Sequence, residues 1–328
     1  VSAPITFGGN PFIGAYRYYE GSSNGGCSCW IVINSDDPEK AAISTALYLE
    51  NVTNSVIQNN VFGGFRGLSG SIATQHNYEG GVGSMATGIY IKNSDYNNFS
   101  NNTIKDLIAG SGGTSSTTSS EGGEGGIVSG IFLDVSSNNT FSHTTISNIT
   151  GGTGGDGSNQ AGRGGLALTF YLKHSSDNTF VNSSLQNVTG GTGGRDPGSY
   201  NNRHAGSGGY ARGFYLLNST NIIDQNTTFG NISGGIQGPN LDSDSTNCCN
   251  RTSTSHHYYL YYSQVYSGAP DYYTTYYTSD IVSINSNFDS FYLNTWLCSE
   301  DGMSDDDVCI GGNSITVKNY LTISTLNQ

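Results

Sequence analysis

Residues 88–107 read GIYIKNSDYNNFSNNTIKDL, and residues 130–149 read GIFLDVSSNNTFSHTTISNI. The second stretch begins about 42 residues after the first and has the same order of apolar, polar and Asn positions. Related units begin at Ala46, Leu168 and Gly213, so the unit occurs five times at a spacing of about forty residues. A period of this length is typical of a solenoid, in which one coil buries its apolar side chains only against neighbouring coils.

Apolar and polar residues alternate with period two inside each unit, as they do along a strand. The pattern predicts three strands per coil, each with one inward face. The first strand supplies Leu47 and Leu49, Ile89 and Ile91, Ile131 and Leu133, Phe170 and Leu172, and Phe214 and Leu216; the second supplies Ile57, Phe99, Phe141 and Phe180; the third supplies Phe62, Ile104, Ile146, Leu185 and Phe229. Equivalent residues are expected to stack about 4.8 Å apart in parallel strands.

Two further columns are predicted at the turns and on the outer surface. Asn97, Asn139 and Asn178 share one offset and predict an asparagine ladder at a turn. The outward positions of the first strand form an aromatic column of Tyr48, Tyr90, Phe132, Tyr171 and Tyr215, beside a row of Glu50, Lys92, Asp134 and Lys173. Two interpretations stay open: cross-strand pairs that each stabilise the sheet by about 0.2–1 kcal/mol, or an exposed platform on which sugars stack.

Glycine-rich inserts such as TGGTGGDGSNQAGRGG, residues 150–165, join each coil to the next. One interpretation is an ordered glycine layer lying over the aromatic column, because glycine permits close approach of backbones. The other is a mobile linker.

The chain divides into an N-terminal cap or assembly segment (1–45), the coils of the β-helix (46–235) and a Tyr-rich C-terminal β region (236–328). Six cysteines lie outside the coils: Cys27, Cys29, Cys248, Cys249, Cys298 and Cys309. Their even number favours disulfides of open pairing over a metal site. Asp36–Asp37 and Asp305–Asp307 indicate solvated turns, with structural calcium as the alternative; we expect no cofactor.

Composition limits the partners and the location. A net charge of −13 with only 12 Lys and Arg excludes nucleic acid, because the chain repels phosphate backbones. No apolar stretch approaches the roughly 18 residues of a membrane span. A start at Val1 favours removal of an export signal, so we expect an extracellular or cell-surface protein. Abundant Tyr, Thr and Asn with few Lys favours an archaeal source.

Eleven Asn residues begin Asn-X-Ser/Thr sequons and are candidates for N-linked glycans. They are Asn51, Asn98, Asn101, Asn138, Asn148, Asn182, Asn187, Asn218, Asn226, Asn231 and Asn250. Asn101, Asn182 and Asn226 share one offset, and Asn148, Asn187 and Asn231 share another. These offsets predict either columns of glycans or ladder residues that the repeat produces.

Catalytic patterns are weak. Glycoside hydrolysis needs two nearby carboxyl groups, but the outward row of the first strand alternates acids with lysines and ends at Leu217. Arg163, Arg195, Arg203 and Arg212 lie in the inserts without a neighbouring acid cluster. We therefore expect no enzymatic activity.

The repeated pattern GIYIKNSDYNNFSNNTI and GIFLDVSSNNTFSHTTI resembles the coils of the pectin-lyase-like superfamily. It is most similar to the Asn-rich, non-catalytic repeat proteins of archaeal and bacterial cell surfaces, over about residues 46–232. The resemblance implies an all-β, right-handed parallel β-helix with β-rich terminal caps. Because the superfamily includes lyases, hydrolases and adhesins, the fold does not select the function.

The expected function is a secreted structural glycoprotein that self-associates into a filament, sheath or surface layer. Strand addition through residues 314–326 or the N-terminal APITF segment is the expected mode of contact. The alternative is a carbohydrate-binding or polysaccharide-degrading protein that contacts its ligand through the aromatic column or an insert-lined cleft.

Overall fold

The computed structural model describes residues 6–7, 43–73, 79–115, 121–196 and 205–239, and the backbone of six strands between residues 255 and 318. All regular structure in this part of the chain is β. Strands that are about forty residues apart pair in parallel, and the chain forms the predicted right-handed parallel β-helix. The predicted fold class is confirmed.

Three seven-stranded sheets form the walls of the coil. The first contains β2 (Ile43–Glu50), β5 (Met85–Lys92), β8 (Val128–Asp134), β11 (Ala167–Lys173), β14 (Ala211–Leu217), β18 (Ser255–Tyr261) and β22 (Phe291–Leu293). The second contains β3 (Val56–Gln58), β6 (Asn98–Ser100), β9 (Thr140–Ser142), β12 (Thr179–Val181), β15 (Ile222–Gln225), β21 (Asp280–Ile284) and β23 (Ser314–Lys318). The third contains β1 (Thr6–Phe7), β4 (Val61–Gly63), β7 (Thr103–Ile108), β10 (Thr145–Thr150), β13 (Ser184–Thr189), β16 (Thr228–Phe229) and β17 (Ile232–Ser233). A separate antiparallel pair is β19 (Gln264–Tyr266) with β20 (Thr274–Tyr276).

The register places equivalent side chains directly above each other. Ile89 pairs with Ile131, and Ile131 pairs with Phe170; all three are fully buried. The same register pairs Ser129 with Leu168, so the fourth coil begins at Thr169, one residue later than the sequence comparison placed it. The interior is therefore a set of continuous apolar columns, as the repeat predicts.

The second sheet contains a stack of phenylalanine rings that ends in a polar residue. The centroids of Phe99 and Phe141 lie 4.7 Å apart, and those of Phe141 and Phe180 lie 5.0 Å apart. In the fifth coil Asp224 takes the next position; it is fully buried and accepts a hydrogen bond from the hydroxyl of Thr227. The local hydroxyl satisfies part of the polar demand that burial creates.

The asparagine ladder forms at the predicted turn. The Oδ1 of Asn139 accepts hydrogen bonds from the backbone N and the Nδ2 of Asn97, at 3.0 and 3.1 Å. The Nδ2 of Asn139 donates to the Ser94 carbonyl at 2.9 Å, and its backbone N donates to Asn178 Oδ1. Each buried amide thus satisfies backbone groups that the turn would leave without a partner.

The corners of the coils adopt a left-handed backbone, and this explains much of the asparagine content. In the part of the chain that the structure describes, eighteen non-glycine residues have positive φ. They fall at four offsets, of which three recur in all five coils and the fourth in the first four. The columns are Asn51, Asn93, Val135, His174 and Asn218; Asn54, Tyr96, Asn138, Asp177 and Asn221; Asn59, Asn101, His143, Asn182 and Asn226; and Gly64, Asp106, Asn148 and Asn187. Asn and Asp tolerate this region best among non-glycine residues, because their short side chains can hydrogen-bond locally.

The terminal strands pair within the chain itself. Parallel register continues from β14 to β18 and β22, and from β15 to β21 and β23, so the stack extends beyond residue 235. Ser314–Lys318 pairs with Asp280–Ile284, and Thr6–Phe7 pairs with Val61–Phe62. Each of these strands therefore uses one edge inside its own subunit, and strand addition to a second copy stays a prediction for the other edge.

Replacing Val135 by Asn should stabilise the fold. Val135 has φ of 52° and is 51% exposed. Its β-branched side chain is therefore held in a left-handed conformation, and the small apolar area it buries does little to offset the cost. The left-handed conformation costs an ordinary residue about 1–2 kcal/mol. We expect Val135→Asn to raise the free energy of unfolding by about 1 kcal/mol in chemical denaturation. Val181→Asn, at a strand position, is the matched control; equal effects of both changes would contradict this account.

Candidate functional site

The outward aromatic residues of the first sheet form one continuous stack. The centroids of Tyr90 and Phe132 lie 4.8 Å apart with planes 4° from parallel, and those of Phe132 and Tyr171 lie 4.4 Å apart at 5°. Tyr48 and Tyr215 extend the column at both ends, each 5.1 Å from its neighbour and tilted. The parallel register places the rings one strand spacing apart, which fixes this geometry.

The middle of the column is buried. Phe132 is 3% exposed and Tyr171 1%, because the rings cover each other and pack with Met85, Ile127 and Leu168. Tyr48, at the first coil, is 37% exposed. A sugar-stacking platform requires accessible ring faces, and Phe132 and Tyr171 do not meet that requirement. The stack acts instead as a second apolar cluster on the outside of the coil.

Polar groups beside the column bind each other. Lys92 Nζ lies 3.1 Å from Glu50 Oε1, and the Tyr48 hydroxyl donates to Glu50 Oε2 at 2.8 Å. These contacts lower the pKa of Glu50, the Tyr48 hydrogen bond most and Lys92 next, and the bond to Glu50 raises the pKa of Lys92. The Tyr90 hydroxyl donates to Asp134 Oδ2 at 3.2 Å, and burial, followed by the charge of Asp134, raises the pKa of Tyr90. The lysine and both phenols therefore keep their protons at neutral pH and donate them to the two carboxylates.

Alkaline stability should depend on Tyr90. Its pKa is raised in the folded state, so the unfolded chain ionises first, near pH 10, and stability falls as pH rises above that value. We expect thermal midpoints of the wild type to fall more steeply than those of Tyr90→Phe between about pH 9 and 12. The Phe ring fits, because Phe132 occupies the equivalent position of the next coil. Tyr96→Phe, at an exposed ring, is the control for loss of one phenol; parallel curves for wild type and Tyr90→Phe would refute the prediction.

The inserts form an ordered layer, which we call the glycine wing. Its outgoing segments (67–72, 109–114, 151–156, 190–195 and 234–239) leave the third sheet, and its returning segments (79–84, 121–126, 160–165 and 205–209) lead back into the first. The inner segments of both kinds repeat every three residues, with one other side chain for each pair of small ones, as in GGTGGD at 151–156 and QAGRGG at 160–165. The first and last outgoing segments, GLSGSI and GGIQGP, follow this pattern only in part. Thr153 and Arg163 occupy such third positions and are exposed, whereas Gly151, Gly152, Gly164 and Gly165 are buried.

Backbone hydrogen bonds join the wing in two directions. Between equivalent segments of successive coils, Gly151 N donates to Thr189 O at 2.9 Å and Gly154 N to Thr192 O at 2.8 Å. Between outgoing and returning segments, Gly152 N donates to Gly126 O at 3.0 Å. The same series of hydrogen bonds continues across the next segments: Gly165 N donates to Gly152 O, and Gly191 N donates to Gly165 O. A three-residue period is also that of a polyproline II helix, which likewise has no internal hydrogen bonds. The wing segments find their hydrogen-bond partners in neighbouring segments.

Glycine is needed in the wing because the segments approach closely. A Cβ on Gly152 would lie 1.9 Å from the Gly110 carbonyl oxygen, and one on Gly165 would lie 1.9 Å from that of Gly126. Neither residue has positive φ, so space and not backbone conformation selects glycine here. In the described residues the inserts form hydrogen-bonded segments, as the ordered-layer interpretation predicts. The atoms nearest to a Cβ built on these glycines are backbone atoms of other wing segments.

A single methyl group in the wing should destabilise the protein. The added methyl group of Gly152→Ala would push the Gly110 carbonyl away and disturb the hydrogen bond from Gly152 N to Gly126 O. Overpacking of this kind lowers the free energy of unfolding by about 1–3 kcal/mol. Thr153→Ala, one residue further on at an exposed position, is the matched control and should be close to neutral. Thermal denaturation of both variants is the measurement. Equal midpoints would show that the wing carries no stability.

The sequon asparagines occupy the left-handed corners. Eight of the eleven have positive φ: Asn51, Asn101, Asn138, Asn148, Asn182, Asn187, Asn218 and Asn226. Several also bond along their column: Asn187 Nδ2 donates to Asn148 Oδ1 at 3.1 Å, and Asn226 Nδ2 to Asn182 Oδ1 at 3.0 Å. Asn218 is only 8% exposed. Backbone conformation and ladder bonding therefore account for much of the sequon pattern. The sequence offered ladder residues as one interpretation of the shared offsets, but it did not predict the left-handed backbone.

A shallow open groove crosses the outer face of the third sheet, beside the wing. Its volume is about 590 Å³, and it is lined by Arg66, Asp106, Asn148, Thr150, Asn187 and Thr189. Asn148 Nδ2 donates to Asp106 Oδ1 at 3.1 Å, so the amides along its floor form a ladder. The groove presents amide, hydroxyl and guanidinium groups to a ligand, but it has no paired carboxyl groups in its lining.

The remaining candidates do not converge. Arg163 and Arg195 are exposed in different wing segments, whereas Arg212 is buried, with its guanidinium 5.1 Å from the Tyr210 ring centroid and 5.3 Å from that of Tyr215. Within the described ranges no cluster of three or more His, Cys, Asp or Glu could hold a metal ion. None of these ranges forms a helix with the length and apolar character needed to cross a membrane. Several predicted residues lie outside the described ones: the six cysteines, Asn250, Arg203, Asp36–Asp37 and Asp305–Asp307.

Comparisons with known proteins add little. No family model matches the chain, and no curated protein sequence matches it. Among solved structures, a double mutant of the periplasmic alginate epimerase AlgG has a TM-score of 0.17 at 8% identity, covering 85% of this chain and 78% of that chain. A single mutant of the same epimerase has a TM-score of 0.17 at 7% identity with the same coverage. Scores of this size carry no argument about function.

Proposed function

We propose that this protein is a structural subunit of an extracellular filament, sheath or cell-surface layer, built on a β-helix of the pectin-lyase-like superfamily. One observation carries the proposal: acidic side chains that could act in catalysis or binding instead contact residues of a neighbouring coil. Glu50 binds Lys92, Asp134 accepts from Tyr90, and Asp106 accepts from Asn148. Reactive groups held this way stabilise the stack and are poorly placed to bind or convert a substrate.

A rod of stacked coils suits a load-bearing role. From the first to the fifth coil, hydrogen bonds join each coil to the next in all three sheets and also in the wing. These five coils therefore have no weakly connected face in their described residues. Exposed sequons at Asn51, Asn98, Asn101 and Asn138 favour a secreted glycoprotein, and the low content of charged residues, 11%, leaves a surface dominated by small polar groups.

Carbohydrate binding is the second candidate, and the groove on the third sheet favours it. Amide and hydroxyl ladders at the strand spacing offer hydrogen bonds to successive sugar hydroxyls, and Arg66 could contact a carboxylate at one end. In this role the protein would attach to a polysaccharide instead of cleaving it.

Electron microscopy and sedimentation of the purified protein test the proposal. We expect regular polymers whose abundance rises with protein concentration, and no turnover of acidic or neutral polysaccharides. Monodisperse rods at every concentration would contradict the structural role. Turnover that disappears in Glu50→Gln or Asp134→Asn would establish an enzyme instead. Binding of a polysaccharide that Asn148→Ala weakens, while Asn138→Ala does not, would support the second candidate.

A further inference from the structure

We infer that subunits stack end to end in one fixed register, with β22 and β23 of one copy pairing in parallel with β2 and β3 of the next. This inference rests on the proposed function and specifies its partner as a second copy of the chain. Four observations carry it: the register at the two ends of the first sheet, the register of the second sheet, the exposure of the first coil, and the stagger of the third sheet.

The two ends of the first sheet present the same residue pattern. At the C-terminal end Phe291, Tyr292 and Leu293 pair with Tyr258, Tyr259 and Leu260, which pair in turn with Phe214, Tyr215 and Leu216. At the N-terminal end the same register positions hold Leu47, Tyr48 and Leu49. Tyr292 and Tyr48 thus occupy the position of the aromatic column. A second copy added in this register continues an apolar, aromatic, apolar order without interruption.

The second sheet presents a compatible pair of ends. Val317 pairs with Ser283, which pairs with Asp224, the residue next to Phe180 in the column. At the opposite end Ile57 takes the same position, below Phe99. An apolar residue therefore stands at each end of the column that contains the phenylalanine stack. One register satisfies both sheets, because Phe291 matches Leu47 while Val317 matches Ile57.

Side chains of the first coil are exposed in the way that an unfilled interface would leave them. Leu47, Leu49 and Ile57 are half-buried, although their counterparts in the second coil are fully buried. Tyr48 is 37% exposed, against 3% and 1% for Phe132 and Tyr171 within the column. A coil placed below would cover these side chains as each coil covers its neighbour elsewhere. Burial of this apolar area is the main favourable contribution to association.

The third sheet is staggered in a way that fits the same contact. Thr6–Phe7 lies one layer below the first coil, where it pairs with β4. In the proposed register, β1 of one copy would lie at the same level as β22 and β23 of the preceding copy. Among the described strands the third sheet has no member in that layer. The contact is head-to-tail, and a contact of that kind that does not close into a ring generates an open filament.

Cysteine cross-linking between copies tests the register. Gln58 and Lys318 share one register position, so their Cα atoms should lie about 4.8 Å apart across the contact, within disulfide range. Gln58→Cys and Lys318→Cys are prepared as separate variants, mixed, allowed to polymerise and oxidised. We expect a disulfide-linked dimer on a non-reducing gel. Val56→Cys mixed with Lys318→Cys is the matched control, because two residues of offset separate the Cα atoms by about 8 Å.

The outcomes distinguish a wrong stacking register from a wrong structural role. Polymers that form without the Gln58–Lys318 disulfide, or that link Val56 to Lys318 equally well, would overturn the register and leave the structural role standing. Failure of wild type and both variants to polymerise would overturn the structural role and the stacking together. A cross-link that forms in polymer fractions and is absent from fractions of single subunits establishes the inferred contact.

Discussion

Parallel backbone pairing between residues one coil apart is the constraint on which the rest of the molecule depends. Because each residue pairs with its own equivalent, any side chain repeated in the sequence becomes a column in space. The phenylalanine stack, the asparagine ladder, the buried aromatic column and the alternating charges all follow from the same register. A single coil could sustain none of them, since its hydrogen-bond partners and its apolar contacts lie in its neighbours.

The glycine wing satisfies the same constraint without side chains. Removing the Cβ lets neighbouring segments approach until two of every three N–H groups find a carbonyl across the gap. Each such bond is worth only about 0.5–1.5 kcal/mol net, and ordering glycine carries a large entropic cost. The wing therefore depends on the sheets, which hold both ends of every segment in register. The third position varies: Thr153 is exposed and Ser111 and Thr192 are half-buried, whereas the glycines beside them are buried.

The strands and their columns could be predicted from the sequence, because period-two alternation repeated five times has one consistent solution. The sequence left the wing as one of two interpretations, because a segment with a three-residue repeat and few apolar residues gives no periodic hydrophobic signal. The extension of the stack past residue 235 was missed because residues 256–262 read HHYYLYY, a run in which apolar and polar positions do not alternate. The left-handed corners were missed for a different reason: Asn98 in a strand and Asn101 at a corner look alike in sequence, and only φ separates them. Exposure of the aromatic column also required the coordinates, because ring-on-ring burial depends on what flanks Phe132 and Tyr171.

The central claim is that hydrogen bonds between coils order the wing as they order the sheets. Amide hydrogen exchange at Gly126, Gly152 and Gly165 tests it most directly, with Ile131 in the first sheet as the internal reference. The account predicts protection at these glycines that approaches that of Ile131, since every one donates to a carbonyl of a neighbouring segment. Exchange at the rate of an unstructured chain, with Ile131 still protected, would contradict it.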